Sequence, residues 1–423
     1  MEKIYANRHI LCIDLKSFFA SCECIERGLD PFKYPLVVAN PNQGDGAITL
    51  AVTPYLKKQG VKSRGRLYEI PRNIKYTIAK PRMNLYTTKS KEVISVYLDF
   101  VSEEDLHVYS IDECFLDITN YLKLYNKSDV EIAKDILNKI YKQCGLTATC
   151  GIGPNMLLAK IAMDIEAKHT PDNIAKWTYH DIETKLWKIS PLSEMWGIGS
   201  RMEKNLNKLG IYTVGDLANT NKLLLKDKFG IMGLEMWNHA NGIDTSVISD
   251  FKKLSKSESY SHSQVLFKDY FDDNIKLIIS EMVDVLTTRL RNNNKLTKCV
   301  GLGIGYSKDI TGGFFHQIKL ERAIDYGDEI LKNCLIIFDK YYEGLPIRKV
   351  TVSCGMLEKK ENVQLNLFED LKESNDLDKD HNINVVIDEI KNKFGKNSVL
   401  KATNLLSDST AIERNKKTGG HYS

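Results

Sequence analysis

The run YSIDECFLDIT, Tyr109 to Thr119, sets two adjacent acids, Asp112 and Glu113, between segments that read as buried β-structure. LHVYS before the pair and CFLDIT after it form a β-hairpin with the acids at its turn. Side by side, two carboxylates repel each other and resist desolvation unless a positive group lies between or beside them. Asp14 is a third such acid: it ends the apolar strand His9 to Ile13, and SFFASCECIER opens a helix behind it with Ser17 near the cap. Strands and helices alternate through this part of the chain and return to one sheet, an α+β layer on which Asp14 and the hairpin can meet.

An adjacent Asp-Glu pair is most often a solvated turn, and Asp14 changes that weighting. Three acids so placed suit two-metal phosphoryl transfer, in which one ion activates an attacking hydroxyl and another, about 4 Å away, holds a triphosphate and its leaving pyrophosphate. Hard oxygen ligands favour magnesium or manganese over zinc. Asp117, farther along the same stretch, reads as a solvent-facing or structurally hydrogen-bonded acid.

With 423 residues, 43% apolar and 27% charged, the chain has an ordinary globular composition and room for about two to four domains. Its net charge of +4 permits a nucleic-acid partner without demanding one. The nine cysteines are odd in number, scattered and free of any CxxC pair, so reduced thiols in a cytoplasm are expected rather than a disulfide framework or zinc knuckle. Neither a signal peptide nor a run of about 18 apolar residues stands out, and no membrane association is expected. Residues 31–82 mix short strands with Gly, Pro and basic residues, and a long helix follows over 85–100. The capping box at Ser128 opens a helix over 129–143, and Pro154 opens another that reaches about residue 168. Residues 170–240 hold all four tryptophans among short helices, DFKKLSKS is a basic linker, and the pattern beyond it reads βαββαβ. Residues 358–423 are polar apart from QLNLFED and a short helical stretch near 383–395, and a largely flexible tail is expected.

These segments carry a family resemblance. YSIDECFLDIT resembles the SIDE(A/C)xLD motif of the Y-family translesion DNA polymerases, and DLKSFFASCE resembles their first acidic motif. GIGPNMLLAKIAMD and WGIGSRMEKNLNKLGIYTVGDLA continue the match in the family's order, over about residues 1–358. The wording is most similar to the UmuC-like, ImpB/MucB/SamB branch, including the terminal NKKTGGHYS. The resemblance implies an α+β, multidomain right-hand polymerase. Its palm spans 1–17 and 84–167, its small fingers 18–83, its helical helix-hairpin-helix thumb 168–240, its linker 241–257 and its βαββαβ little finger 258–357.

It also implies roles. Asp14, Asp112, Glu113 and the backbone carbonyl of Leu15 would hold two Mg²⁺ ions, with the three acids as the catalytic groups. Phe19 takes the steric-gate position, where an aromatic ring under the incoming sugar leaves no room for a 2′-hydroxyl. Lys160 and Lys57 fall on triphosphate-binding positions, each a positive charge against a tetra-anionic substrate. Many relatives have Tyr and Arg three apart in the fingers where this chain has Pro54 and Lys57, with Tyr55 as a nearby substitute. Gly197 and Gly199 would let backbone N–H groups approach a DNA phosphate, and Lys252, Lys253, Lys256, Lys295, Lys298 and Arg348 are candidates to track the duplex. Gln364, Leu365, Leu367 and Phe368 resemble the motif by which bacterial polymerases dock on the β sliding clamp. The expected partners are thus primer-template DNA, deoxynucleoside triphosphates and the clamp, in damage tolerance and the SOS response. Whether an accessory subunit joins them stays open, as do two other readings: an inactive DNA- and clamp-binding accessory protein, and a palm-domain nucleotide cyclase.

Overall fold

A computed structural model describes residues 7–251, 258–310, 312–360, 371–418 and 421–422. The chain divides into two compact units, Met1–Leu254 and Ser255–Tyr422.

The first unit is built around the strand Ile10–Leu15, whose residues Ile10 to Ile13 are wholly buried. It is the third strand of five, in the order Leu106–Val108, Glu113–Asp117, Ile10–Leu15, Ala148–Gly153, Ile174–Lys176. Both neighbours of the middle strand run antiparallel to it, and their register sets Asp14 opposite Glu113 on one side and Thr149 on the other. Pairing of Leu106–Val108 with Glu113–Asp117 is the expected hairpin, its turn closed by the N–H groups of Tyr109 and Ser110 donating to the Glu113 carbonyl at 3.0 Å.

Two helices, Met83–Leu98 and Asp129–Cys144, join the sheet's apolar core through Val93, Val96 and Tyr97 on the first and Ile132, Ile136 and Ile140 on the second. Ser128 and Glu131 form the capping box that opens the second. The helix Met156–Ile165 lies unusually close to its neighbouring strand. A Cβ added to Gly151 would stand 2.0 Å from the Ala159 carbonyl oxygen, and one on Gly153 would stand 2.4 Å from the Ala159 nitrogen. Bare backbone at those two positions lets the helix press Lys160 toward the acid-bearing end of the sheet.

Residues of the expected fingers form their own three-stranded sheet, Thr49–Val52, Leu36–Ala39 and Thr77–Ala79, over a small core of Val37, Val52, Leu56 and Leu67. Trp177, Leu186, Leu206, Leu217 and Leu225 gather the helices Ser200–Asn207, Val214–Asn219 and Lys222–Ala240 into the tryptophan-rich helical region. The expected linker departs from expectation in its first half. Residues 241–251 pack on the sheet's helix: Asn155 donates to the Gly242 carbonyl at 2.9 Å, Leu157 N–H donates to Asp244 at 3.0 Å, and Ile248 is buried.

The second unit has a four-stranded antiparallel sheet in the order Gly313–Ile324, Lys295–Tyr306, Ile347–Lys359, Tyr260–Tyr270. The helices Asp272–Asn292 and Gly327–Tyr341 pack against it through Ile275, Ile279, Met282, Leu286 and Phe338, completing the βαββαβ pattern.

The flexible tail expected over 358–423 is corrected for its greater part. A helix, Leu371–Phe394, and the segment after it fold back on the Asp272–Asn292 helix. Asp388 pairs with Arg291 at 2.7 Å, with only 4% and 7% of the two side chains exposed, and accepts from Thr288. Glu281 takes Arg414 at 3.0 Å together with the hydroxyls of Ser409 and Thr410. Polar composition suggested disorder, whereas these few charges have buried opposites on the helix they cover, which composition does not reveal. The stretch Gln364 to Phe368 lies outside the described residues.

Asp388→Ala leaves the Arg291 guanidinium buried without its carboxylate partner. A loss of about 3 kcal/mol in the stability of the second unit is expected, read as a lower denaturant midpoint; an unchanged midpoint would show that the packed tail adds nothing to that unit.

Candidate active site

Each acid arrives at the site by a separate route. Asp14 sits next to the end of the middle strand, where Leu15 N–H donates to the Asp112 carbonyl at 3.0 Å and binds the strand end to the hairpin turn. Asp112 accepts a hydrogen bond from the Ser110 hydroxyl at 2.7 Å. Glu113 begins the next strand, and its Oε1 accepts from Lys160 Nζ at 2.7 Å and from the buried Cys12 thiol at 3.2 Å. Both donors take the same oxygen, so among the described contacts Oε2 remains for a cation. Burial pushes the Asp14 carboxyl up to about 6; Lys168, 3.7 Å away, opposes that rise, and the charges of Asp112 and Glu113 add to it.

Among the described residues, no three His, Cys, Asp or Glu side chains form a ready-made metal cage. The carboxylates are turned to lysines and to Ser110, as mutual repulsion requires when positive charge comes from side chains alone. The donor set still fits a hard divalent ion: three carboxylates at adjoining strand ends, with the Leu15 carbonyl at the close of the same strand.

Basic groups surround the acids. Lys160 is nearly buried on the Met156–Ile165 helix, and Lys57 comes from the short helix Pro54–Lys58. Burial lowers the pKa of the Lys57 ammonium, while Asp14 and Asp112 act to raise it, which places that lysine within electrostatic reach of the acids. Tyr55, two residues earlier, packs instead against the core of the small three-stranded sheet.

Phe19 lies five residues beyond Asp14, after Ser17 takes a left-handed conformation (φ 50°) that swings the chain from strand to helix. The Phe19 ring stacks on Tyr86 with centroids 4.4 Å apart and planes at 16°. Tyr86 is fully buried and donates its hydroxyl to Glu23 at 2.8 Å. Glu23, also fully buried, takes a fork of two bonds from Arg82, at 3.0 and 2.8 Å, and another from Arg27. Burial alone would raise the Glu23 carboxyl, and Arg82, Arg27 and Tyr86 together hold it below its ordinary range. The ring therefore rests on a platform with little freedom to shift.

Gly197, at φ 92°, and Gly199, the residue that caps Ser200–Asn207, stand in open space: a Cβ on either would touch nothing within 4 Å. Trp196 joins this turn to the hairpin by donating its indole N–H to the Tyr109 hydroxyl at 3.2 Å. Between them lies a cleft of about 450 Å³ lined by Tyr109, Asp164, Trp196, Gly197 and Gly199. In the second unit Lys295 pairs with Glu258, Lys298 with Glu358 and Arg348 with Asp269, while Lys252, Lys253 and Lys256 fall outside the described residues. Asp117 accepts from Thr119 and lies 3.9 Å from Arg8, in keeping with the second of the two readings given for it, solvent-facing or structurally hydrogen-bonded.

Several residues of the site escape a linear reading. Cys12 reads as one more apolar strand residue, and nothing local marks Tyr86 as the partner of Phe19. Asp164 and Lys168 had a signal: with Lys160 they repeat every four residues, the spacing of one helical face.

Matches to known proteins agree with this geometry. Residues 13–164 match the impB/mucB/samB family, residues 179–211 the helix-hairpin-helix motif of that family, and residues 257–367 its C-terminal domain. The UvrX protein of Bacillus subtilis, named for UV-damage repair, is 41% identical over 99% of both chains. A protein named DNA polymerase IV 2 from the same organism is 34% identical over 98% of both. A solved Y-family DNA polymerase chimera superimposes with a TM-score of 0.64 over 85% of this chain and 100% of its own, at 20% identity. With relatives this similar along nearly its whole length, the chain belongs to the impB/mucB/samB family, the UmuC-like branch of the Y-family DNA polymerases.

Proposed function

We propose that the chain is a template-directed DNA polymerase of the translesion type, adding deoxynucleotides to a primer 3′-hydroxyl opposite damaged or undamaged template. The observation that carries this reading is the meeting of Asp14, Asp112 and Glu113 at adjoining strand ends, with Lys160 against Glu113 and Lys168 beside Asp14. Family membership implies dependence on a divalent metal. Asp14, Asp112, Glu113 and the Leu15 carbonyl would hold two magnesium ions, which supply Lewis-acid activation of the hydroxyl and charge for the leaving pyrophosphate.

The remaining work falls to the chain's own groups. Lys57 and Lys160 bring positive charge to the triphosphate, and the Tyr86-backed Phe19 ring denies space to a 2′-hydroxyl. The Gly197–Gly199 turn offers backbone N–H groups to a DNA phosphate. QLNLF docks the chain on the β sliding clamp. Among the described residues no helix is long and apolar enough to cross a membrane. The DNA substrate of this reading places the protein in the cytoplasm. An accessory binding protein would have no use for the acid cluster, nor a nucleotide cyclase for the open glycine turn.

Replacing Asp112 and Glu113 together by alanine should lower primer extension by at least about 10³-fold; extension equal to the parent's would refute the assignment. Phe19→Ala should raise ribonucleotide insertion relative to deoxynucleotide insertion by about tenfold or more, measured in paired single-nucleotide assays, and unchanged sugar selection would remove the gate role. Changing Leu367 and Phe368 to alanine should cost about 2 kcal/mol or more in affinity for the clamp, with undiminished binding the contrary result.

A further inference from the structure

Tyr109 and Trp196 meet at a cleft of about 450 Å³ whose lining includes both Asp164, an ion-pair partner of Lys160, and the Gly197–Gly199 turn. The cleft thus joins the two places that a primer strand must reach: the acids, which receive its 3′-hydroxyl, and the turn, which takes a phosphate farther upstream. Tyr109 lines it from the hairpin and Trp196 from the turn, and the Trp196 indole N–H donates to the Tyr109 hydroxyl oxygen at 3.2 Å. An indole nitrogen can only donate, so the phenolic oxygen accepts and its own proton points elsewhere. Among the described contacts that proton has no acceptor, and 46% of Tyr109 is exposed.

The hydroxyl is held in place from several sides. The Tyr109 N–H donates to the Glu113 carbonyl at 3.0 Å, which ties the residue to the turn that carries the acids. Its ring meets the wholly buried Phe115 edge-on, with centroids 5.7 Å apart and planes at 89°. Trp196 packs on the same Phe115 at 6.2 Å and lies parallel to His239 at 6.4 Å. The charged residues that line the cleft, Asp164 and Glu194, are both acids, so what it offers a phosphate is neutral: backbone N–H groups of the turn and the Tyr109 proton. A joint that served only to fasten the turn to the hairpin would need no exposed hydroxyl with a spare proton.

We propose that Tyr109 is a further primer-binding residue, its hydroxyl donating to one phosphate of the primer strand between the 3′ end and the Gly197–Gly199 turn, and that Trp196 is the positioning residue that turns that proton toward the cleft. Fixed at one phosphate, a hydroxyl anchored three residues from Asp112 sets the register of the strand against the acids. This inference rests on the polymerase reading above. A purely structural joint would instead stabilise the fold and single out no phosphate, so affinity at individual linkages and stability are the quantities to separate.

The test uses the full chain and a primer-template labelled with a fluorophore on the template, reading equilibrium binding by anisotropy without nucleotide, alongside the thermal midpoint of the free protein. A single neutral methylphosphonate linkage is moved stepwise along the primer from its 3′ end. Tyr109→Phe should weaken binding of the unmodified primer-template about tenfold, the loss of a hydrogen bond to a charged group. In the parent, neutralising the linkage that Tyr109 contacts should cost a similar factor; in Tyr109→Phe it should cost less than about twofold, since the donor is already gone. Every other linkage should cost the two proteins alike. Trp196→Phe keeps an aromatic ring but lets the hydroxyl turn freely, and should weaken binding about threefold while the same linkage still matters. Equal penalties for parent and Tyr109→Phe at every linkage, with or without a lowered thermal midpoint, would overturn the contact, and full parental affinity in Trp196→Phe would overturn the positioning role. The Asp112, Glu113 double alanine variant reports separately, on extension rather than binding: if it extends primers like the parent, the polymerase reading itself has failed.

Discussion

The pairing of Ile10–Leu15 with Glu113–Asp117 is the constraint on which the site depends. Ile10, Leu11 and Ile13 are completely buried, worth about 2 kcal/mol each. A slip of one residue in register would exchange the two faces of the strand, Leu11 and Ile13 on one and Ile10 and Cys12 on the other, and carry Asp14 away from Glu113. Hydrophobic burial therefore holds two carboxylates next to each other, against their own repulsion.

The rest of the site answers that repulsion. Lys160 and Lys168 approach from a helix that two glycines allow against the sheet, Lys57 comes from the small neighbouring sheet, and Ser110 and Cys12 donate to the acids from the hairpin and from the strand beneath. A nearly buried pair such as Glu113 and Lys160, with 11% and 10% of its side chains exposed, gains little net stability once desolvation is counted. What the pair provides is balance: each group compensates the other's charge where water is largely excluded.

A second balanced cluster stands behind Phe19. Glu23 is wholly buried among Arg82, Arg27 and Tyr86, and that arrangement fixes the aromatic stack from below. An ion pair locked under an aromatic ring gives the Phe19–Tyr86 stack a stiffness that a lone Phe on a short helix lacks. The same principle appears in the second unit, where Arg291 with Asp388 and Arg414 with Glu281 fasten the carboxy-terminal segment.

Much of this was legible in the linear chain. Apolar runs and the Ser128 capping box located the sheet strands and main helices to within a few residues, and the acid motifs named Asp14, Asp112 and Glu113. These signals are local, because strand burial and helix capping are set by neighbours a few residues away. The packed segment after residue 371 was missed because its binding partners lie about 100 residues or more earlier in the chain. Cys12 under Glu113 and Tyr86 under Phe19 were hidden for a similar reason: which buried side chains touch depends on sheet register and helix packing. By itself the sequence determined which residues could carry charge, close a strand or open a helix; only the tertiary structure decided which charges face each other, because electrostatic compensation acts through space and not along the chain.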